Sequence, residues 1–478
     1  MTRTTKQARL FGSLRQSILD GRYARGDRLP SSRELASELG YSRNTVLAVY
    51  EQLIAEGYIE TKVGAGTYVT AELPERFTTT SSKPEPRRPS NPSGNDSPLS
   101  RFGKFADALS VPLPRAGVEI DFRYGVADVD SQLRQSWRAA LAHGARSRLP
   151  ALDDYAASIG EPNLRQLIAQ YVFRSRGVRT TTEQVIIVNG SQQALDLIAR
   201  VLIDPGEIVV LEDPCYLGAR YCFAAHGAQI IGQRVDGEGM TLPQSGARLA
   251  YVTPSHQFPT GVVMSITRRM ELLQWAHRND ALVIEDDYDG EFRYVGNSVG
   301  AIQGLDDRER VIYVGTFSKV MFPALRLGYL VVPRQMADVF ARAKWLTDRH
   351  SPLPTQLALG HLLETGEFQR LLRRNRHKYA QQRERLLAAL TAHMPPQSYT
   401  LQGDAAGIHV LCWLDRPATD APEIAARASE AGVGVYPATS FFMRPPDNAS
   451  LLLGFAAVEP DAIDDGIARL AGVLETMP

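Results

Sequence analysis

The sequence predicts a multi-domain protein. A small N-terminal α+β unit precedes a larger α/β unit with a mainly parallel seven-stranded sheet, and a small α+β subdomain closes the chain. Three observations carry that prediction. At 478 residues the chain is too long for a single hydrophobic core. Seven short β-branched runs, at 184–188, 207–211, 228–231, 248–252, 281–285, 310–314 and 328–332, alternate with helical stretches, as in a sheet covered on both faces. Between residues 72 and 117 the composition shifts to eight prolines and no hydrophobic period, which marks a partly extended linker. Domains are therefore expected at 1–71 and 118–478, with the linker 72–117 between them.

Charge adds a mild pointer. The whole chain balances 53 basic against 53 acidic residues, but residues 1–70 hold ten Lys/Arg against seven Asp/Glu, which suits a nucleic-acid partner. Cys215, Cys222 and Cys412 form no CxxC pair, so neither a disulfide framework nor a zinc site is expected. The first residues carry no apolar stretch, and no apolar run approaches the ~20 residues of a membrane helix. A cytoplasmic protein without a membrane partner or metal is the expectation.

In the first unit, Leu10, Leu14 and Ile18 share one helical face, and Gly21 suits a left-handed helix end. Ser31 with Glu34 fits a capping box for a second helix, closed by Gly40. Ser42 can cap a third helix that turns Val46, Val49, Leu53 and Ile54 inward and leaves Arg43 and Asn44 exposed in its first turn. That is where a helix-turn-helix reads bases and where a helix N-terminus favours phosphate. Residues 58–61 and 66–69 then read as a β-hairpin wing with a basic tip at 62–65.

The larger unit holds a cofactor constellation. Lys319 ends the string 313–319 and lies 33 residues after Asp286. Pyridoxal phosphate requires an amine for its aldehyde, a carboxylate for its pyridine nitrogen, a donor to its ring oxygen and an anion site for its phosphate. Lys319 supplies the amine, Asp286 or Asp287 the carboxylate, and Tyr288 the ring-oxygen partner. Asn189, Gly190, Ser191, Gln192 and Gln193 start a helix after a strand, so the Gly190 and Ser191 amides would face phosphate. Thr316, Ser318 and Arg326 add hydroxyls and a countercharge. From about Trp345, long helices over 357–364 and 368–392 and strands near 407–413 and 451–456 form the smaller subdomain.

The segment 10–69, with GDRLPSSRELA, SRNTV, YEQL, EGYI and GAGTYV, resembles the winged helix-turn-helix domain of GntR-type regulators. The resemblance implies DNA contacts by Arg33, Arg43, Asn44 and Thr45, with Lys62 and Gly66 in the wing. Residues 155–456, with Tyr155, Gly160, Leu164 and Arg165, the loop TPSHQFPTG and the string PALRLGY, resemble fold-type I aminotransferases. Together they resemble MocR-type regulators, GabR-like in layout. This implies pyridoxal 5'-phosphate as cofactor, Asp286 at its ring nitrogen, Tyr288 at its ring oxygen, Tyr216 near the ring and Tyr155 reaching a neighbouring subunit. It also implies a homodimer on a double-stranded DNA operator. Two departures stand out. Phe258 replaces the asparagine of the NPTG loop, and Leu452 replaces the arginine that clamps a substrate carboxylate, leaving Arg444 as the nearest cation in sequence. The expected signal is thus pyridoxal phosphate itself or an amine effector, with at most aminotransferase-type half-reactions. The alternative is an active aminotransferase carrying a DNA-binding head.

Overall fold

The structure, a computed structural model, describes residues 6–62, 65–74, 98–109, 117–147, 155–244, 246–296 and 299–477. The chain divides into two compact units, Met1–Pro98 and Leu99–Pro478.

In the first unit, helix α1 (Lys6–Leu19) buries Leu10, Leu14 and Ile18, and Gly21 follows at φ 77°. Helix α2 (Ser32–Leu39) begins in a complete capping box between Ser31 and Glu34 and ends at Gly40, φ 69°. Such a cap contributes about 1 kcal/mol by satisfying amides that the helix leaves open. Helix α3 (Arg43–Ala55) is capped by Ser42 and buries Val46, Val49, Tyr50 and Leu53. Ile54 is not inward-facing as expected but 42% exposed. It lies at the edge of the 3.6-residue stripe, and Tyr50, whose hydroxyl donates to the Pro30 carbonyl, takes the inner place instead. Strands β1 (Ile59–Lys62) and β2 (Gly66–Val69) pair antiparallel, Lys62 opposite Gly66.

The second unit opens with helix α4 (Arg101–Asp107), capped by Ser100, inside the stretch whose composition suggested an extended linker. The Arg101 guanidinium donates to the His226 carbonyl and the Phe102 ring stands edge-on to the His226 ring, so α4 is docked on this unit. Proline content masked that short capped segment.

Strands β3 (Ile120–Asp121), β4 (Val185–Val188), β5 (Ile208–Asp213), β6 (Gln229–Asp236), β7 (Gly239–Met240), β8 (Leu249–Val252), β9 (Leu282–Asp287), β10 (Val311–Thr316) and β11 (Gly328–Val331) follow. Strands β4 to β11 form one sheet in the order β4-β11-β10-β9-β8-β5-β6-β7. All seven expected runs are in it; the eighth member, β7, is two residues long and carries no apolar run. Strands β10, β9, β8, β5 and β6 pair parallel, while β11 runs antiparallel to both neighbours. Alternate residues feed opposite cores: Ile187, Tyr313 and Tyr329 on one face, Ile186, Val188, Ile312 and Leu330 on the other.

The C-terminal part holds the helices Leu353–Glu364 and Glu367–His393 and strands β12 (Tyr399–Gln402), β13 (His409–Pro417), β14 (Val433–Gly434), β15 (Tyr436–Pro437) and β16 (Asn448–Gly454). Four of them form the sheet β12-β13-β16-β15, and β14 pairs in parallel with β3 from the far end of the unit. Among the described residues, no helix is long and apolar enough to cross a membrane.

Candidate cofactor site and nucleic-acid interface

Parallel strands deliver their C-terminal ends to one edge of the sheet, where α/β proteins place ligands. Here the ends of β4, β8, β9 and β10 lead into Ser191, Thr253, Asp286 with Tyr288, and Thr316 with Lys319. These residues line one cavity of about 160 Å³ with Tyr124, Gly125, Tyr216, Tyr251, Phe258, Ser318, Arg326 and His409.

The Lys319 ammonium nitrogen donates to the Gly125 carbonyl at 2.6 Å. Burial pushes this amine below its ordinary value, against the pull of Asp289 and Asp286, which favours the neutral nucleophile that imine formation requires. Asp286 accepts from the Tyr251 hydroxyl at Oδ2, 2.8 Å, while its Oδ1 is buried without a partner. Burial raises its carboxyl to about 7, opposed by the Tyr251 hydrogen bond and reinforced by Asp287.

Strand alternation separates the two carboxylates that sequence left open. Asp287 turns to the other face, where it accepts from Arg176 at 2.6 Å and from the Tyr313 hydroxyl at 2.7 Å. Burial raises its carboxyl, but Arg176 and Tyr313 outweigh that and hold it below the usual range. Asp287 is therefore tied into the core and Asp286 faces the cavity.

Gly190 begins the helix Ser191–Leu202 at φ 82°. A side chain there would be strained, and its Cβ would stand 2.7 Å from the Arg326 guanidinium. Arg326 also donates to the Asn189 carbonyl at 3.2 Å. The Ser318 amide donates to Thr316 Oγ1, and Ser318 Oγ is buried without a partner. Hydroxyl, guanidinium and helix start line one cavity and could together hold an anion.

These observations fit pyridoxal phosphate: an unpartnered carboxylate oxygen suits a pyridine N–H, and an unpartnered hydroxyl in the cavity that Arg326 also lines suits a phosphate. Among the other residues singled out from sequence, Tyr216 lines the cavity edge-on to Phe258. Gln192 is exposed and bonds the Gly218 carbonyl. Tyr155 is 81% exposed, packs against His350 and Arg349, and is not among the lining residues.

Arg444 is also outside this cavity. It lines a separate cavity of about 630 Å³ with Arg234 and Trp413, and its backbone amide bonds Asp213. Leu452 lies in β16 and Arg444 in the preceding turn, so nearness in sequence to the clamp position does not bring Arg444 to the lining of the Lys319 cavity. Leu452 itself is fully buried with Phe258, Leu411, Ala438 and Phe441. Sequence reasoning did not single out Tyr251, His256, Asp289 or His409, although His256 lies in the loop TPSHQFPTG and Asp289 directly follows Tyr288.

In the first unit, Arg33 on α2 and Arg43 and Asn44 on α3 are exposed. Thr45 is half-buried, its hydroxyl 2.7 Å from that of Ser42. Lys62 lies over the Tyr68 ring and near Glu60. At Gly66, φ 116°, a Cβ would stand 2.8 Å from the Arg28 side chain, so the wing folds closely over a further arginine.

The family described as aminotransferase class I and II matches residues 119–470, and bacterial regulatory proteins of the gntR family match residues 6–69. A probable rhizopine catabolism regulatory protein MocR of Rhizobium meliloti is 37% identical over 96% of this chain and 92% of its own. The pyridoxine biosynthesis transcriptional regulator PdxR of Corynebacterium glutamicum is 30% identical over 98% of this chain and 96% of its own. Among solved structures, a Pyrococcus horikoshii kynurenine aminotransferase in complex with PMP is 29% identical with TM-score 0.69, covering 75% of this chain and 91% of that one. With a gntR-family head and an aminotransferase class I and II body matched over nearly the whole chain, the protein belongs to the MocR-type transcriptional regulators.

Proposed function

We propose that this regulator binds pyridoxal phosphate as a Schiff base on Lys319 and changes its hold on a double-stranded DNA operator with the state of that site. The observation that carries the reading is the pair of unpartnered buried oxygens, Asp286 Oδ1 and Ser318 Oγ, on the wall of the cavity that holds Lys319. When bound, the cofactor supplies an electron-withdrawing ring and an aldehyde that condenses with amines. Asp286 holds the ring nitrogen, Tyr288 the ring oxygen, and Tyr216 borders the ring. Gly190, Ser191, Gln192, Thr316, Ser318 and Arg326 form the phosphate side. Tyr155, exposed on its own subunit, serves the neighbouring site of a homodimer.

Residues 1–71 form the operator-binding domain, with Arg33, Arg43, Asn44 and Thr45 as contacts and Lys62 and Gly66 in the wing. Residues 72–117 are the linker, with α4 docked near its end, and 118–478 the cofactor domain. The protein acts in the cytoplasm.

The wall around Leu452 bears on the signal. Phe258, Leu411, Leu452 and Phe441 are buried together, and a ligand carboxylate placed among them without a cation would cost several kcal/mol. That favours pyridoxal phosphate itself as signal, with an uncharged-tailed amine second, and disfavours turnover of amino acids. A relative named for pyridoxine biosynthesis agrees with this reading.

The test is an absorption spectrum of purified protein with added cofactor, before and after borohydride. Wild type is expected to show a visible imine band that borohydride abolishes. Lys319→Ala is expected to lose the band while remaining folded, because the cofactor stabilises the native state by linkage and does not build its core. An unchanged band in Lys319→Ala contradicts the assignment.

A further inference from the structure

Behind Tyr288 lies a buried polar cluster that the cofactor reading does not use. The His256 ring is fully buried, and its Nδ1 stands 3.0 Å from Asp289 Oδ2 and 3.0 Å from the Tyr288 hydroxyl oxygen. Its Nε2 lies 3.4 Å from the Gly403 carbonyl. His409, also buried, packs its ring 4.7 Å from that of His256 and lines the cavity.

The space for His256 is built by two glycines. A Cβ at Gly407 would fall 2.0 Å from His256 Cε1, and one at Gly261 would fall 2.8 Å from Nε2. Gly407 is left-handed at φ 74°, so both the conformation and the room require glycine. The two glycines thus close around one edge of the ring, from Nδ1 to Nε2, and leave room for no side chain beside it.

The geometry assigns the proton. A carboxylate only accepts, so the atom 3.0 Å from Asp289 Oδ2 carries a hydrogen and donates it. The Tyr288 oxygen shares the same nitrogen and therefore accepts from it. A hydroxyl that accepts on this side has its own proton free to point elsewhere. Tyr288 and Phe258 both line the cavity, and the apolar Phe258 ring offers that proton no acceptor.

We propose that His256, oriented by Asp289, is a positioning residue that sets the Tyr288 hydroxyl as a donor into the Lys319 cavity. The inference rests on the cofactor reading above and deepens it. In aminotransferase-like sites an asparagine in the NPTG loop would share the ring oxygen; with Phe258 there, that donor is lost and more falls to Tyr288, whose direction depends on His256.

The charged and titratable groups around this pair are Asp289, Asp286, Glu212 and Asp287 about Tyr288, and Lys319 and His409 on the cavity side. Arg326 and Arg123 bear on Lys319. Four acidic neighbours make it costly to draw negative charge onto Tyr288, so the hydroxyl keeps its proton. Burial, first, and then those carboxylates push the phenol well above its ordinary value, consistent with a permanent donor.

A hydrogen bond donated to the ring oxygen stabilises its negative charge most when the imine nitrogen has lost its proton. It therefore lowers the pH at which the visible band titrates. The test follows that midpoint in protein loaded with pyridoxal phosphate. His256→Leu is expected to raise the midpoint by about one pH unit, the size of one ordinary hydrogen bond, and Tyr288→Phe to raise it in the same direction. The double variant is expected to match Tyr288→Phe alone, since His256 acts through Tyr288.

His256→Asn, whose amide nitrogen falls near the position of Nδ1, is expected to restore a midpoint close to wild type; His256→Gln, whose nitrogen falls near Nε2, is expected not to. These two variants keep the question open to measurement if His256→Leu does not fold. A wild-type midpoint in His256→Leu or His256→Gln, or full additivity with Tyr288→Phe, overturns the positioning role. Absence of any imine band in wild type is a different failure, one that removes the cofactor reading and this inference with it.

Discussion

Asp286 shows how a single buried carboxylate couples this protein to pH. Burial raises its carboxyl from the ordinary 3.8 to about 7, so the folded chain keeps a proton that the unfolded chain releases. Its contribution to stability is present below about pH 4 and is lost as pH rises through about 7. Glu212, Glu285 and Glu291, each raised to about 7 chiefly by burial, add to the same slope. Melting of the cofactor-free protein between pH 5 and 8 should therefore fall more steeply for wild type than for Asp286→Asn; equal slopes would show that Asp286 is ionised without cost in the folded state. At this scale the candidate cofactor residues stood out in the sequence because their chemistry is distinctive. Lys319, Asp286 and Tyr288 are a set that few other uses require. Between Asp286 and Asp287 the residues by themselves did not decide; the family resemblance pointed to Asp286, and strand alternation ties Asp287 to Arg176 and Tyr313. The grouping of His256, Asp289 and His409 was not legible, because it joins the loop 253–261, the end of β9 and the start of β13, which are far apart in the chain.

Elements whose ends are written locally were read closely. Ser31 with Glu34, Ser42, Gly21 and Gly40 bound the three N-terminal helices as expected, since caps act within one turn. The runs of the central sheet were equally clear, because a strand buried on both faces is apolar throughout. What escaped notice was short or dependent on a distant partner. Strands β7, β14 and β15 are two residues each, and β14 exists only because β3 pairs with it. Helix α4 was hidden by the prolines around it. The recognition element carries its own prediction. Arg43, exposed in the first turn of α3, and Arg33 on α2 are expected to contact the operator. Loss of a bidentate base contact should cost roughly 1–3 kcal/mol. Loss of a phosphate contact should reduce the salt slope by about one. Equilibrium binding of Arg43→Ala and Arg33→Ala across a salt series distinguishes the two, and wild-type affinity in both would mean that another surface reads DNA.

For the whole molecule the question is whether the cofactor site governs the DNA-binding head. The stretch read from composition as the linker, 72–117, is rich in proline; most of it lies outside the described residues, and its part from Leu99 falls in the second compact unit. Chain segments of that composition tolerate changes in length at small entropic cost. Control under the proposed function then rests on the state of the Lys319 cavity rather than on a fixed linker geometry. A cofactor bound there would give Asp286 Oδ1 and Ser318 Oγ the partners they lack and would draw Lys319 from the Gly125 carbonyl, so empty and loaded protein would differ at this site. A ligand shifts an equilibrium only by its differential affinity for two states, so the two forms must differ in operator affinity if the cofactor is the signal. The direct measurement is operator affinity of cofactor-free protein titrated with pyridoxal phosphate alone, in wild type and in Lys319→Ala. The account predicts a saturable change in wild type that tracks the rise of the visible imine band, and no such change in Lys319→Ala. An operator affinity unmoved by pyridoxal phosphate in wild type, and altered only when an amine is added afterwards, would contradict it.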